Sequence, residues 1–193
     1  MKKIISLFQR NYDGDRLVRD EVVSGAEWVI HGEGIATEKI DGTCCMVRDS
    51  KLYKRYDAKA FTVDKETGKH NEWNRKPPDG FEPAQDPDPE TGHWPGWLLV
   101  DDGNNDKWHR EAFQHYNGDL PDGTYELVGP KVQGNPYKYD RHRLIKHGLY
   151  VMDDCPRDYE GLKQYLKDKT IEGIVWHHPD GRMVKIKRKD FWK

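Results

Sequence analysis

Cysteine is scarce in this sequence. The 193 residues hold only Cys44, Cys45 and Cys155, too few and too irregularly spaced for a disulfide framework or a zinc site. Two of them are adjacent, so a strand would turn one inward and one outward, and their expected role is packing. Long apolar runs are missing too. No stretch is long enough to span a bilayer, and the opening MKKIISLFQRNYDGD has too short an apolar run for a signal peptide. A reducing, cytoplasmic location is therefore expected, or a nuclear one in a eukaryote. A surplus of either charge is also lacking: 32 Lys and Arg against 34 Asp and Glu leave a net charge of −2. That excludes a uniformly basic nucleic-acid coat, while local basic patches stay open. Apolar residues are few, at 35%, but seven Trp and ten Tyr bury large areas and are enough for a globular core.

The pattern along the chain is rich in strands. Residues 1–35 predict a short strand, a polar turn at Tyr12-Asp13-Gly14-Asp15, and a strand or helix around Trp28 to Ile30. GIATEKI predicts a strand, Asp41-Gly42 a turn, and TCCMVRDSKLYKRYDAK a hairpin, in which Cys44, Met46 and Arg48 alternate with Cys45, Val47 and Asp49. Residues from about 62 to 96 collect most of the prolines and predict a loop or insertion with little regular structure. NDKWHREAFQHY predicts a helix capped by Asn105 or Asp106. DGTYELVGPKV and LIKHGLYVMDD each predict a strand. RDYEGLKQYLKD places Tyr159, Leu162, Tyr165 and Leu166 at helical spacing, and IEGIVWHH-PDG-RMVKIKR is a terminal hairpin. The expected class is α+β, with antiparallel sheets and no internal repeat.

One short stretch carries chemistry. In ATEKIDGTCC, a K-x-D-G core places the amine of Lys39 beside Asp41 and a glycine turn. This arrangement suits a lysine that attacks a nucleotide phosphate and becomes covalently nucleotidylated; it equally describes an exposed lysine at a hairpin. Near the other end, Lys185 and Lys187 alternate with Val184 and Ile186, so one strand face is apolar and the other basic.

Six pieces, taken in order, resemble the covalent nucleotidyltransferase superfamily of ATP-dependent ligases and capping enzymes. They are KIDGT, LYKRYDAK, TYELVGP, LYVMDD, EGIVW and VKIKRKDF. Within it, EKIDGTCC, ELVGPKVQGNPY and EGIVWHHPDGRMVKIKRKDF look closest to the vertebrate-type 5′-to-3′ RNA ligase family, over most of the chain. The resemblance implies a nucleotidyltransferase (ATP-grasp-like) catalytic domain over residues 1–193, with no C-terminal OB domain. It implies ATP as co-substrate, Mg2+ or Mn2+, and an RNA partner with 5′-phosphate and 3′-hydroxyl ends, bound by a monomer.

By the same resemblance, Lys39 is the nucleophile, with Glu38 and Asp41 beside it. Lys185 and Lys187 contact the α-phosphate, Glu172 binds or orients the metal, and Arg55 contacts a phosphate or the ribose. Glu126 accepts a ribose hydroxyl. Met152, with Tyr150 on the same face, stands where the family often has an aromatic ring on the base, and Val175 covers the other side. A lysine must be neutral to attack, and it ordinarily titrates at about 10.4; Lys185, Lys187 and a divalent ion would favour the neutral amine.

Other readings stay open. A small DNA ligase or a GTP-using capping enzyme would share these motifs, and a nucleic-acid-binding relative could keep the fold without turnover. The residues do not themselves separate ATP from GTP. The basic and aromatic segment KVQGNPYKYDRHRLIKH offers Lys131, Lys138, Arg141 and Arg143 to an RNA backbone. His142, His147, His177 and His178 make no expected metal site. Trp94, Trp97 and Trp108 are expected to pack rather than to stack on bases.

Overall fold

The computed structural model describes residues 3–64, 66–72, 77–117 and 119–192. The first strands are β1 (Ile5–Ser6), β2 (Phe8–Arg10) and β3 (Val18–Val22), followed by α1 (Glu27–Ile30) and β4 (Ile35–Lys39). The middle of the chain forms β5 (Thr43–Arg48), β6 (Lys51–Lys59), β7 (Phe61–Val63), β8 (His70–Glu72), β9 (Glu82–Pro83) and β10 (His93–Leu99). A 3-10 turn at Asn104–Asp106 leads into α2 (Lys107–Gln114). Then come β11 (Gly123–Val128), β12 (Arg143–Lys146), α3 (Tyr159–Lys167), β13 (Gly173–His177) and β14 (Met183–Lys187). The mixed α+β class with antiparallel sheets is the one the sequence predicts. The only parallel pairing between the described strands is β1 with β14.

The contacts divide the chain into two compact units: Gly42–Lys146 with Lys3, and Ile4–Asp41 with the described residues from His147 on. In the second unit the sheet order is β1-β14-β13-β4. One face is apolar because Ala36, Ile174, Trp176, Val184 and Ile186 alternate with residues pointing the other way. They pack with Leu7, Phe8, Val29, Leu162, Leu166 and Phe191. Leu162 and Leu166 lie one turn apart on α3 and are fully buried, and Asp158 starts that helix by accepting the Gly161 N–H at 2.8 Å.

In the other unit the order is β12-β11-β5-β6-β10-β9, all antiparallel. Cys45, Val47, Leu52, Tyr125, Leu127 and Leu144 form the inner face, against Ala112 and the partly buried Trp108 and Phe113 of α2. Cys45 is fully buried and Cys44 half-buried, as alternation requires, and burial pushes the Cys45 thiol well up.

The hairpin expected after Asp41-Gly42 forms from β5 and β6, and Asp41-Gly42 is where the chain leaves the sheet of β4 for theirs. A Cβ on Gly42 would stand 2.4 Å from Leu127 O, so this glycine lets the chain lie against the end of β11. Three local expectations change. The helix does begin after Asp106, but its carboxylate does not cap it. Both oxygens take Lys54 Nζ at 2.7 Å, and one accepts the Asp101 N–H at 3.0 Å; an ion pair inside the unit outcompetes a cap.

The strand expected across LIKHGLYVMDD stops at Lys146; Gly148 turns with φ 79°, and Val151 makes a lone bridge to Thr37. Within 62–96, β8 and β9 form and β10 takes the last residues, while 65 and 73–76 lie outside the described residues. Pro95 is tolerated inside β10 because its carbonyl, which accepts the Ala84 N–H at 2.9 Å, faces the short β9. Its missing donor falls on the same side and costs β6 nothing.

Candidate active site

Three strands place the candidate nucleophile. Gly173 pairs with Lys39 of β4 on one side and with Lys187 of β14 on the other. The three therefore form a row on the face away from the core, with the lysine Cα atoms roughly 10 Å apart across two strand spacings. The middle residue has no side chain. Glu172, just before β13, occupies that room: its Oε2 accepts from Lys39 Nζ at 2.5 Å and its Oε1 from Lys187 Nζ at 2.6 Å. The three side chains are 13–24% exposed, so water screens the pairs only in part. Burial alone would raise the Glu172 carboxyl; Lys39 and Lys187 outweigh it and hold it below the usual carboxylate range.

The next row up repeats the pattern with Lys185, Val175 and Thr37. Here the lysine is the perturbed group. Burial first, then Lys187 and Lys39, bring Lys185 down to about 8 from 10.5. Asp41 lies within electrostatic reach of the cluster. Burial and the Glu172 carboxylate push its carboxyl up, against the pull of Lys39, Lys187 and Lys189.

The end of β14 is pinned by a residue outside the motifs. Asp190 is 2% exposed; it accepts the Lys187 N–H at 3.0 Å and pairs with Arg10. Its signal in the sequence is a carboxylate three residues after the last strand lysine. Gly173 also lies outside the predicted set, although a small residue between Glu172 and Ile174 is what the row needs. A Cβ there would stand 2.1 Å from Ile186 O and 2.7 Å from Lys187 Cα, both backbone atoms that cannot rotate away. Gly173→Ala is expected to cost about 1–3 kcal/mol by forcing β13 from β14. Its unfolding midpoint in urea should fall accordingly; a midpoint unchanged within error would contradict the close approach.

One row further, His177 joins the same face. Thr37, 2% exposed, donates Oγ1 to Val175 O at 3.2 Å and stands 3.0 Å from His177 Nε2. Burial, then His147, lower the His177 pKa and favour a neutral ring.

The base-side residue differs from the sequence reading. Glu38 N–H donates to Tyr150 O at 2.9 Å and Met152 N–H to Ala36 O at 3.0 Å, which brackets a Thr37–Val151 pair. Val151 thus shares the Lys39 face. Met152 turns to the other side and packs on the apolar core, while the Tyr150 side chain is exposed. Glu38, paired with Ile174, also points its side chain to the face opposite Lys39.

In the other unit, Glu126 pairs with Cys44 and Ile145, and Arg55 pairs with Trp97. Continuing the β5–β6 register by one residue sets Arg55 opposite Cys44, so Glu126 and Arg55 share a face with Cys44 between them. Glu126 is 8% exposed; Arg55 lies over the Trp97 ring at 5.5 Å and donates to Asp57 at 3.2 Å. Lys131, Lys138 and Arg141 are exposed on one loop. Arg143 is not available in the same way, because its guanidinium stacks 4.4 Å over Tyr139 and lies 3.5 Å from Asp140. Trp97 is buried and Trp108 packs beside the core of its unit.

Among the described residues, no three His, Cys, Asp or Glu side chains group as a metal cage. The carboxylates at the lysine cluster are Glu172 and Asp41. Magnesium takes one or two carboxylates and completes its shell with water and phosphate oxygens, so this pair fits an ion that arrives with a nucleotide.

The chain is similar to known proteins. The family model described as RNA ligase 1 matches residues 117–192, the stretch that carries Glu126, Glu172, Lys185 and Lys187. RNA ligase 1 of Pongo abelii is 32% identical over 215 aligned residues, covering 80% of this chain and 66% of its own. The Mus musculus protein of that name is 31% identical over 80% and 65%, and the Danio rerio one 30% identical over 79% and 66%. The chain thus spans just under two thirds of the length of these curated relatives. It belongs to the vertebrate-type RNA ligase 1 family.

Proposed function

We propose that the protein is an ATP-dependent RNA ligase that works through a lysyl-AMP. The observation that carries this is the Lys39–Glu172–Lys187 cluster on one sheet face, with Lys185 one row away on the same face. The neutral amine of Lys39 attacks the α-phosphorus of ATP. A P–N bond forms, the bond to the bridging oxygen breaks, pyrophosphate leaves, and the nitrogen loses a proton to solvent. The 5′-phosphate of an RNA end then displaces Lys39 and takes up AMP through a new pyrophosphate link. Finally the 3′-hydroxyl of a second end attacks the RNA phosphorus, AMP leaves, and the phosphodiester is closed.

The chemistry asks the protein mainly for positioning and charge balance. Glu172 holds both lysines in register and must release Lys39 before attack. Lys185 and Lys187 neutralise the phosphate whose bond breaks. Glu172, with Asp41, would hold a Mg2+ or Mn2+ ion, which when bound neutralises phosphate charge. Arg55 and Glu126 are assigned to the nucleotide by resemblance, and each can be tested alone by its effect on nucleotide affinity. On the base side, Val151 replaces Met152 as the proposed neighbour, together with Val175. Nothing apolar there distinguishes adenine from guanine; ATP rests on the family. A monomer in the cytoplasm or nucleus completes the reading.

The direct test of the activity is transfer. Protein carrying labelled AMP is mixed with RNA that ends in 5′-phosphate or 5′-hydroxyl. Label should pass only to the phosphorylated strand, which is then sealed to a 3′-hydroxyl end. Sealing of nicked DNA but not of RNA would overturn the substrate, and no transfer at all would overturn the ligase reading.

A further inference from the structure

Between β11 and β12 the chain makes three successive tight turns. Val132 N–H donates to Gly129 O at 3.0 Å, Asn135 N–H to Val132 O at 2.8 Å, and Lys138 N–H to Asn135 O at 3.0 Å. Three non-glycine residues within six positions hold left-handed backbones: Gln133 at φ 46°, Asn135 at 53° and Lys138 at 54°. Such conformations persist only where their surroundings over-determine them, and they gather at ligand-contacting segments. The surroundings do so here. The Asn135 side chain clamps Tyr139 from both sides, donating to its carbonyl at 2.9 Å and accepting its N–H at 3.0 Å. At the base of the loop His142 is 2% exposed and stacks on Trp108 at 4.5 Å. Its Nε2 accepts the Lys131 N–H at 3.3 Å, which leaves Nδ1 to donate to Glu111 Oε1 at 2.9 Å.

This rigid loop presents a stack of planar groups among cations. The half-exposed rings of Tyr137 and Tyr139 lie 5.6 Å apart at 29°, and the Arg143 guanidinium continues the stack 4.4 Å over Tyr139. Residues 129–146 hold five Lys and Arg against the single acid Asp140, which Arg143 already faces at 3.5 Å. Lys131, Lys138 and Arg141 are exposed.

We propose that residues 129–143 form a landing platform for single-stranded RNA. Lys131, Lys138 and Arg141 take backbone phosphates, and the Tyr137–Tyr139 stack takes bases. Aromatic stacking suits any base, because every base has a π-face, and cations that track the backbone supply the rest. A duplex does not fit, since its bases are stacked on one another already. A protein partner would need buried apolar area, whereas the exposed side chains here, Pro130 and Pro136 apart, are charged or amide. The ligase reading supplies only the choice of RNA over DNA.

The test is binding without nucleotide. The affinity of a fluorescent single-stranded RNA for the full chain is measured by anisotropy over a range of salt. Tyr137→Ala/Tyr139→Ala should weaken it at least tenfold, while Tyr137→Phe/Tyr139→Phe, which keeps the rings, should retain it. Lys138→Ala/Arg141→Ala should reduce the slope of log K against log salt by about 0.7 for each phosphate that is no longer neutralised. An alanine pair that binds like the parent, a phenylalanine pair that binds as weakly as alanine, or an unchanged salt slope would each overturn the platform. If a tyrosine variant fails to fold, the salt slope of the variant at the exposed Lys138 and Arg141 decides alone. No step depends on Lys39. An intact lysyl-AMP with unchanged RNA binding in these variants would therefore fail the platform alone, and a missing adduct with the expected binding losses would fail the ligase alone.

Discussion

Glu172→Ala is expected to slow nucleotide transfer to Lys39 at least a hundredfold and to lower stability at the same time. In the parent, one carboxylate accepts from Lys39 at 2.5 Å and from Lys187 at 2.6 Å. Removing it leaves two ammonium groups across a residue with no side chain, both largely shielded from water. Breaking a buried pair by taking one partner costs about 3–5 kcal/mol; partial exposure of these lysines brings the expectation to about 2 kcal/mol. That corresponds to a drop of roughly 4–8 °C in Tm for a chain of this size. The rate loss has a separate origin: in the proposed mechanism the nucleophile loses its register and the phosphate site loses its metal-directed carboxylate. Glu172→Gln separates the two. It keeps an acceptor and the volume, so it should recover part of the stability and little of the rate. A Glu172→Ala protein that takes up nucleotide as fast as the parent would remove Glu172 from the mechanism.

Lys185→Met should move stability and activity in opposite directions. Burial holds Lys185 at about 8, well below the 10.5 of an unconstrained lysine. Near neutral pH the fold carries a charge that its surroundings disfavour. Methionine fills similar volume without that charge, so Tm at pH 7 should rise by about 2–4 °C for each kcal/mol relieved. Between pH 8 and 10.5 the unfolded chain keeps this proton and the native chain has lost it, so the parent gains stability as pH rises across that window. The Lys185→Met advantage should shrink over the same range. Nucleotide transfer should meanwhile fall about 10²–10³-fold, the usual loss when one preorganised charge stabiliser is removed. A parent and a variant with parallel stability curves from pH 7 to 10.5 would contradict the buried charge. An active variant would remove Lys185 from phosphate binding.

Much of this site is legible in the sequence because strand register does the assembling. Lys39 lies 133 residues before Glu172, but three paired strands bring it to the face of Lys185 and Lys187, and alternation determines that face for all three lysines. The features that stay hidden depend on contacts that alternation does not encode. The parity of Tyr150, Val151 and Met152 is set by a lone bridge at Thr37, and three residues without a repeating pattern do not announce which of them points inward. The value of Gly173 lies in its distance from the Ile186 carbonyl, visible only once β13 and β14 are paired. Asp106 has the sequence context of a helix cap, yet Lys54 claims both its oxygens. The Asp190–Arg10 pair and the Thr37–His177 contact are side-chain partnerships between residues far apart in the chain, and no local spacing signals them.

One measurement bears most directly on the central claim that Lys39 carries the nucleotide. The full chain is incubated with α-labelled ATP or GTP and Mg2+, the protein is digested, and the labelled peptide is identified, in parallel with Lys39→Ala. The prediction is an acid-labile adduct formed with ATP, located on Lys39 and absent from Lys39→Ala. Label on Lys39→Ala, or on any other residue, would contradict it.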